Sequence, residues 1–233
     1  SESSTQHPAI AGLVPYAGVW TRAEAAHLAR RTLFGATKRD IDALSAMSVT
    51  EAVNALLSSQ SAPAEPTAYI KSGTIAAGST WVDGTYDAAL DTQRFYFAQT
   101  WWINTMLRQP MSIVEKMTLF WHNHFATSNT AVKDARYMVK QNELLREYAL
   151  GNVKDLVRMV TLDPAMLRYL SGNTNTKAKP NENYGRELQE LFTLGKGPER
   201  SVGDYTTYTE DDVKAAARVL TGWSDVQASL TVK

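Results

Sequence analysis

The sequence predicts an all-α fold, an irregular multi-helix domain interrupted by one long Ser/Ala/Gly-rich excursion. Residues that cap helix N-termini recur along the chain, and apolar residues follow most of them at a spacing of three or four. A glycine or proline often marks the end of such a run. No segment sustains the alternation of apolar and polar residues that is typical of a strand.

The first three helices are predicted from their caps. Thr21 and Glu24 form a capping box, in which the hydroxyl and the carboxylate each accept a hydrogen bond from a backbone N–H of the first turn. Thr37 and Ser48 are the caps expected for the second and third helices. Residues 58–85 then change to Ser, Ala, Pro, Gly and Thr, which favours a long surface loop. We expect this loop to make few burial contacts and to tolerate shortening.

Helical patterns return after the loop. A broad apolar stripe runs from Tyr86 to about Pro110, and a second capping box at residues 112–115 opens a helix towards Trp121. The remaining helices are predicted at about residues 134–149, 163–170, 182–194 and 209–220.

The composition is that of a globular protein. The 233 residues are 44% hydrophobic and 21% charged, which suits a single helical domain over 1–233 or a fragment of a larger one. Lys plus Arg equal Asp plus Glu at 24 each, and the absence of a basic cluster disfavours nucleic-acid binding. No apolar run approaches the roughly 18 residues of a transmembrane helix. The lack of cysteine excludes disulfides and thiolate metal sites.

Two of the four histidines, His122 and His124, lie one residue apart among large aromatic side chains. On a continuous helix these positions point about 200° apart, so the two rings could share a metal only if the helix ended near Trp121. His124 falls on an apolar stripe with Ile113 and Phe120, and we expect it to be the more buried ring. The structural interpretation is a core histidine bonded to a carbonyl or carboxylate, and the functional one is a catalytic or metal-binding pair.

A second polar segment occupies residues 180–191. With Asn181 or Asn183 as the helix cap, one face carries Asn183, Glu187 and Glu190, and Arg186 can pair with Glu190. The structural interpretation is a capped amphipathic helix with solvated acids. The functional interpretation makes either glutamate a general acid/base or a metal ligand facing the histidine pair. Two carboxylates and two imidazoles leave a divalent metal open as a cofactor, although their spacing matches no known metal motif.

Four segments resemble the hallmarks of a bacterial family called domain of unknown function 1800. They are residues 26–35 (AHLARRTLFG), 115–128 (EKMTLFWHNHFATS), 180–195 (PNENYGRELQELFTLG) and 208–223, which begins YTEDDV and ends LTGW. The motifs occur in order and span nearly the whole chain. The resemblance implies an exported protein, periplasmic or extracellular, and no established reaction. Because the family usually continues beyond Trp223, it also fits a fragment of a larger domain.

Two functions follow from these observations. The first is an exported hydrolase with a polar cleft between the two segments. The second is a non-catalytic exported module that binds another exported protein or an extracellular polymer, for which six Trp and ten Tyr would suit sugar stacking. The candidate catalytic residues are His122, His124, Glu187 and Glu190, and the candidate substrate-binding residues are Asn181, Asn183 and Arg186. We expect at least one imidazole within hydrogen-bond reach of Glu187 or Glu190.

Overall fold

The computed structural model describes residues 14–58, 60–202 and 204–233. About 52% of the chain is helical, so the prediction of a mostly α-helical fold is confirmed. The helices are α1 Arg22–Thr32, α2 Lys38–Ser45, α3 Val49–Leu57, α4 Asp91–Arg108, α5 Val114–His124, α6 Asn129–Val132, α7 Ala135–Glu147, α8 Val153–Thr161, α9 Pro164–Tyr169, α10 Asn183–Glu187 and α11 Glu210–Val219. A π-helical segment, Leu188–Thr193, continues α10, and Gly172–Thr174 is a short 3-10 turn.

Strands are few in the described part of the chain. Glu199–Ser201 (β1) pairs antiparallel with Asp204–Tyr205 (β2), and Asp225–Val226 (β3) pairs antiparallel with Thr231–Val232 (β4). Each sheet has two strands. The helices therefore provide the core, and the hairpins lie at its edge.

Local capping sets where many helices begin. Capping boxes form at Thr21, Thr37, Ser48 and Thr209, as hydroxyl and acid side chains three residues apart bind each other's backbone N–H groups. The capping box predicted at residues 112–115 is wrong. α5 begins at Val114 without a side-chain cap, because the Glu115 carboxylate turns inward and binds Arg146 instead.

The segment 58–85 is irregular, as expected, but it is not a lightly packed surface loop. Ala68, Ile75, Trp81 and Val82 are all buried, and they share a core cluster with Phe97 of α4 and with residues of α7. The expectation of few burial contacts is therefore wrong, since these four apolar residues pack into the core. Shortening it would remove core side chains, so the predicted tolerance to deletion loses its basis.

Several helix–helix contacts build the core. α1 packs on α2, the long helix α4 and helix α5 both pack on α7, and α10 packs on α11. Gly185 permits the last contact, because a Cβ atom there would lie only 3.2 Å from the Ala216 Cβ. Among the described residues, no helix is both long and apolar enough to cross a bilayer.

Candidate functional site

His124 lies at the last position of α5 and is held by a backbone carbonyl. Its Nε2 is 3.0 Å from the Phe192 oxygen, and because a carbonyl oxygen only accepts, Nε2 carries the proton. The imidazole is half-buried, with the rings of Phe125 and Phe192 centred 4.7 and 6.1 Å away. This arrangement matches the structural interpretation of a core histidine.

His122 points to a different side of α5. Its ring centroid lies 4.9 Å from that of Trp102 on α4, and no hydrogen bond to its ring nitrogens is present within the described ranges. Burial lowers the pKa of His122, so the ring is neutral at physiological pH. The two imidazoles thus diverge, as the continuous helix predicted, and they do not form one metal site.

The predicted phase of α5 is wrong. Phe120, expected on the buried stripe, is 53% exposed, whereas the polar residues Glu115 and Thr118 are buried. His122 and His124 are both half-buried, and the greater burial expected of His124 stays a prediction. The buried face of α5 is the one that places Glu115 beside Arg146, and it is not the face that carries the most apolar side chains.

Glu190 is bound within the protein. It accepts a hydrogen bond from the Tyr208 hydroxyl at 2.7 Å, and Lys196 Nζ lies 3.4 Å away. These contacts, that of Tyr208 first, hold the pKa of Glu190 below its usual value. Glu187 lies at the end of α10, where the π-helical segment begins. Glu190 is therefore an ionised, partly exposed acid that links this segment to the chain before α11.

The two polar segments meet without the expected imidazole–carboxylate bond. Phe125 at the end of α5 shares a core cluster with Tyr184 and Phe192, so the segments do pack together. Within the described part of the chain, however, neither His122 nor His124 forms a hydrogen bond or ion pair with Glu187 or Glu190. Apolar rings occupy the contact, and Glu190 binds Tyr208 and Lys196 instead.

The predicted substrate-binding residues stabilise their own region. The Asn181 side-chain oxygen accepts from the Asn183 backbone N–H at 3.0 Å, and Asn183 Nδ2 donates to the Leu170 carbonyl at 3.2 Å. Arg186 donates to both carboxylate oxygens of Glu210, at 2.6 and 2.8 Å. The bond to Glu210 raises the pKa of Arg186. These side chains join α10 to α9 and α11.

No metal-binding cluster accompanies the candidate residues. Over 14–58, 60–202 and 204–233, no group of three or more His, Asp or Glu side chains has the arrangement needed to hold an ion. A divalent metal at His122, His124, Glu187 and Glu190 is therefore not supported by their geometry.

A large cleft lies elsewhere, between the chain at 60–69, α4, residues 109–115 and the end of α7. Its volume is about 1330 Å³. Many of its walls are open to solvent, including Gln60, Arg108 and Glu147. None of the seven predicted site residues lines it. The residues that carry its chemistry are Glu65, Tyr69, Trp101, Asn104, Arg108, Gln109, Glu115, Glu143, Arg146 and Glu147.

A buried ion pair forms one wall of this cleft. Arg146 of α7 donates from Nε to Glu115 Oε1 at 2.5 Å and from Nη2 to Glu115 Oε2 at 3.1 Å. Nη2 also donates to Asn142 Oδ1 at 2.7 Å, and Trp102 Nε1 donates to Glu115 Oε2 at 3.1 Å. The remaining guanidinium nitrogen, Nη1, has no hydrogen-bond partner among the described residues. The bonds to Glu115 and Asn142 thus hold Arg146 in place in the wall of the cleft.

Aromatic side chains and a free amide complete the wall. The Trp101 ring lies 5.2 Å from the Arg146 guanidinium carbon, and its Nε1 donates to the Ala64 carbonyl at 2.7 Å. Tyr69 is 53% exposed, and its ring packs edge-on against Phe97 at 4.9 Å. Both polar atoms of the Gln109 side chain are buried without a hydrogen-bond partner. The cleft therefore combines aromatic surface with polar groups that have remaining capacity to bind.

A comparison with known protein families matches residues 27–231 to the family described as Protein of unknown function (DUF1800). The chain belongs to this family. The match confirms the resemblance that the hallmark segments suggested. No curated protein and no solved structure matches the chain in the corresponding comparisons.

Sequence reasoning missed the cleft of this DUF1800 chain. Glu115 belongs to the predicted capping box and to a hallmark segment, but neither pattern predicts its buried partner, and Gln109 and Arg146 belong to no recognisable motif. The adjacent pair Trp101-Trp102 was the one available signal, since two neighbouring indoles on a helix cannot both face the same core. In the structure Trp101 lines the cleft, while Trp102 binds Glu115 and contacts His122.

Proposed function

We propose that this DUF1800 chain is a binding module whose cleft takes a saccharide chain. The observation that carries the proposal is the cleft itself, about 1330 Å³ in volume, with aromatic rings and uncommitted polar groups on the same walls. Small-molecule sites combine concave apolar surface with a few polar groups that fix orientation. The polar hallmark residues, by contrast, are mostly occupied by contacts within the protein.

The chemistry of the walls supports a saccharide as the ligand. A sugar ring presents C–H groups on its faces and hydroxyls around its edge, so it requires flat aromatic surfaces beside hydrogen-bonding groups. Tyr69 and Trp101 provide the flat aromatic surfaces. Side chains in and near α4 and α7 provide the hydrogen-bonding groups. Their carboxylates accept from hydroxyls, their guanidinium groups donate to hydroxyls, and their amides do both.

The hydrolase hypothesis receives less support from the predicted catalytic set. Nε2 of His124 is committed to a carbonyl, and Glu190 is bound to Tyr208 and Lys196. His122 has a pKa lowered by burial, and its ring lies tilted against that of Trp102 without a carboxylate partner among the described residues. A general base needs a proton within hydrogen-bond reach, and none of these groups lines the cleft.

The proposal includes a location outside the cytoplasm, either periplasmic or extracellular, and an extracellular polymer as the partner. The lack of cysteine is compatible with an oxidising compartment but does not require one. Fractionation of cells that produce the natural protein tests this part directly. Recovery of all the protein with cytoplasmic markers would contradict it.

The test of the function is binding to soluble oligosaccharides and polysaccharides, measured by titration calorimetry. We expect Tyr69→Ala to weaken binding about three- to tenfold, which corresponds to one lost aromatic contact. Trp223→Ala is the matched control, because Trp223 is 38% exposed and lies outside the cleft. The same samples are assayed for new reducing ends. Absence of all binding would overturn the proposal, and cleavage that depends on His122 or Glu190 would favour the hydrolase.

A further inference from the structure

Gln109 occupies a distinctive place in the cleft wall. It is the residue that ends α4, just before Pro110, with φ −55° and ψ 146°. The residue is half-buried and lines the cleft, yet neither its amide nitrogen nor its amide oxygen has a hydrogen-bond partner. A buried carboxamide with both functions unpaired is unfavourable, so such a group at the wall of a cleft is a candidate for completion by a ligand.

The other unpaired buried polar groups differ from Gln109 in position and in kind. They are Trp81 Nε1, Arg94 Nε, Asn129 Oδ1 and Asn142 Nδ2. Within the described residues, none of these four side chains lines the cleft, and each leaves only a donor or only an acceptor unpaired. Gln109 alone in this group offers a free donor and a free acceptor together. Both atoms are buried in the structure, so a ligand in the cleft reaches them only after rotation about the Gln109 side-chain bonds, which requires no backbone movement.

The complement of a carboxamide is another amide. A trans secondary amide points its N–H and its carbonyl in opposite directions, so an acetamido carbonyl can accept from Gln109 Nε2 while a neighbouring sugar hydroxyl donates to Gln109 Oε1. A carboxylate could only accept, and an ammonium group could only donate. The charged residues of the wall also disfavour a carboxylate, because they are four acids and two bases: Glu65, Glu115, Glu143, Glu147, Arg108 and Arg146.

We infer that Gln109 recognises an acetamido group, and that the cleft selects saccharide chains built from N-acetylated amino sugars. This inference rests on the proposed saccharide-binding function and names its ligand class. The acetamido group would pair with the Gln109 amide while the sugar ring packs on the aromatic side chains nearby. Selectivity then comes from one side chain, and general affinity comes from the rest of the cleft.

The experiment compares three tetrasaccharides of the same linkage: N-acetylglucosamine, glucosamine and glucose. Each is titrated by calorimetry into the wild-type chain and into Gln109→Met, which keeps the shape of the side chain but removes both hydrogen-bonding functions. Gln99→Met is the matched control, since Gln99 is an exposed glutamine on the same helix, α4, that does not line the cleft. Thermal unfolding of each variant checks that it remains folded.

We expect the wild type to bind the acetylated tetramer about tenfold more tightly than the glucose tetramer, as two neutral hydrogen bonds allow. Gln109→Met should reduce this ratio to near one, and Gln99→Met should preserve it. Equal binding of all three sugars, tighter binding of the glucosamine tetramer, or an unchanged ratio in Gln109→Met would overturn the inference while leaving the proposed function intact. Failure of every sugar to bind would overturn both.

Discussion

Two regions of the molecule use their polar side chains in opposite ways. Around α10 and α11, the polar groups that dominate the hallmark motifs mainly bind one another, as in the pair Arg186–Glu210 and the bond from Tyr208 to Glu190. In the cleft beside α4 and α7, the Glu115–Arg146 pair is equally well bonded, but the neighbouring Gln109 amide has no partner. A dense polar motif can therefore mark a structural junction, whereas binding capacity lies where a polar group is left unsatisfied.

The comparison between the two regions assumes that the buried Glu115–Arg146 pair holds one wall of the cleft in place. We expect Glu115→Ala to lower the free energy of unfolding by roughly 3–5 kcal/mol, because it leaves the buried Arg146 guanidinium without a counter-charge. Urea denaturation measures the loss. Glu143→Ala is the control, since Glu143 pairs with Lys140 at 3.2 Å in a half-exposed setting, and should cost less than about 1 kcal/mol. Similar losses in the two variants would mean that the buried pair contributes no more than a surface pair.

In the hallmark region, we expect the two histidines to contribute differently to the free energy of unfolding. His124→Ala should cost roughly 1–3 kcal/mol, because it removes the donor to the Phe192 carbonyl and leaves a small cavity among aromatic rings. His122→Ala should cost less, since it loses contact with Trp102 but no hydrogen bond. Chemical denaturation of both variants measures the difference. A greater loss for His122→Ala would contradict the structural role assigned to His124.

A pH-dependent effect on stability is expected from the buried Asp163 at the start of α9. Burial raises the pKa of Asp163 to about 7, against the opposing effect of hydrogen bonds from Met166 N and Gln141 Nε2. The folded protein then holds this proton more tightly than the unfolded chain, whose Asp pKa is about 3.9. The Asp163 contribution to stability is therefore full below about pH 4 and is lost as the pH rises towards 7, with a slope of at most about 1.4 kcal/mol per pH unit.

Asp163→Asn separates this contribution from those of other acids, because asparagine still accepts at a helix N-terminus but does not titrate in this range. The free energy of unfolding is measured from pH 4 to pH 7 for both proteins. We expect the wild type to lose stability relative to the variant as the pH rises. Parallel curves would show that Asp163 does not hold a proton in the folded state.

The sequence by itself determined the fold class and the starts of many helices. The capping boxes at Thr21, Thr37, Ser48 and Thr209 need only residues three apart, so their formation does not depend on distant parts of the chain. Membership of the DUF1800 family was equally readable, because it rests on ordered motifs. Local composition gave a wrong prediction for segment 58–85. Its composition is typical of a surface loop, yet four of its apolar residues lie in a core cluster.

Only the tertiary structure decided which helix faces are buried and where polar side chains meet. The inward side of α5 depends on Arg146, which lies 31 residues from Glu115 and supplies the charge that makes burial of that acid favourable. The partner of His124 is a backbone carbonyl 68 residues away, and a backbone group leaves no trace in the amino-acid sequence. The cleft exists because residues 60–69 lie across α4 and α7. Helix periodicity predicts which residues share a face, but what that face meets depends on contacts between segments far apart in the chain.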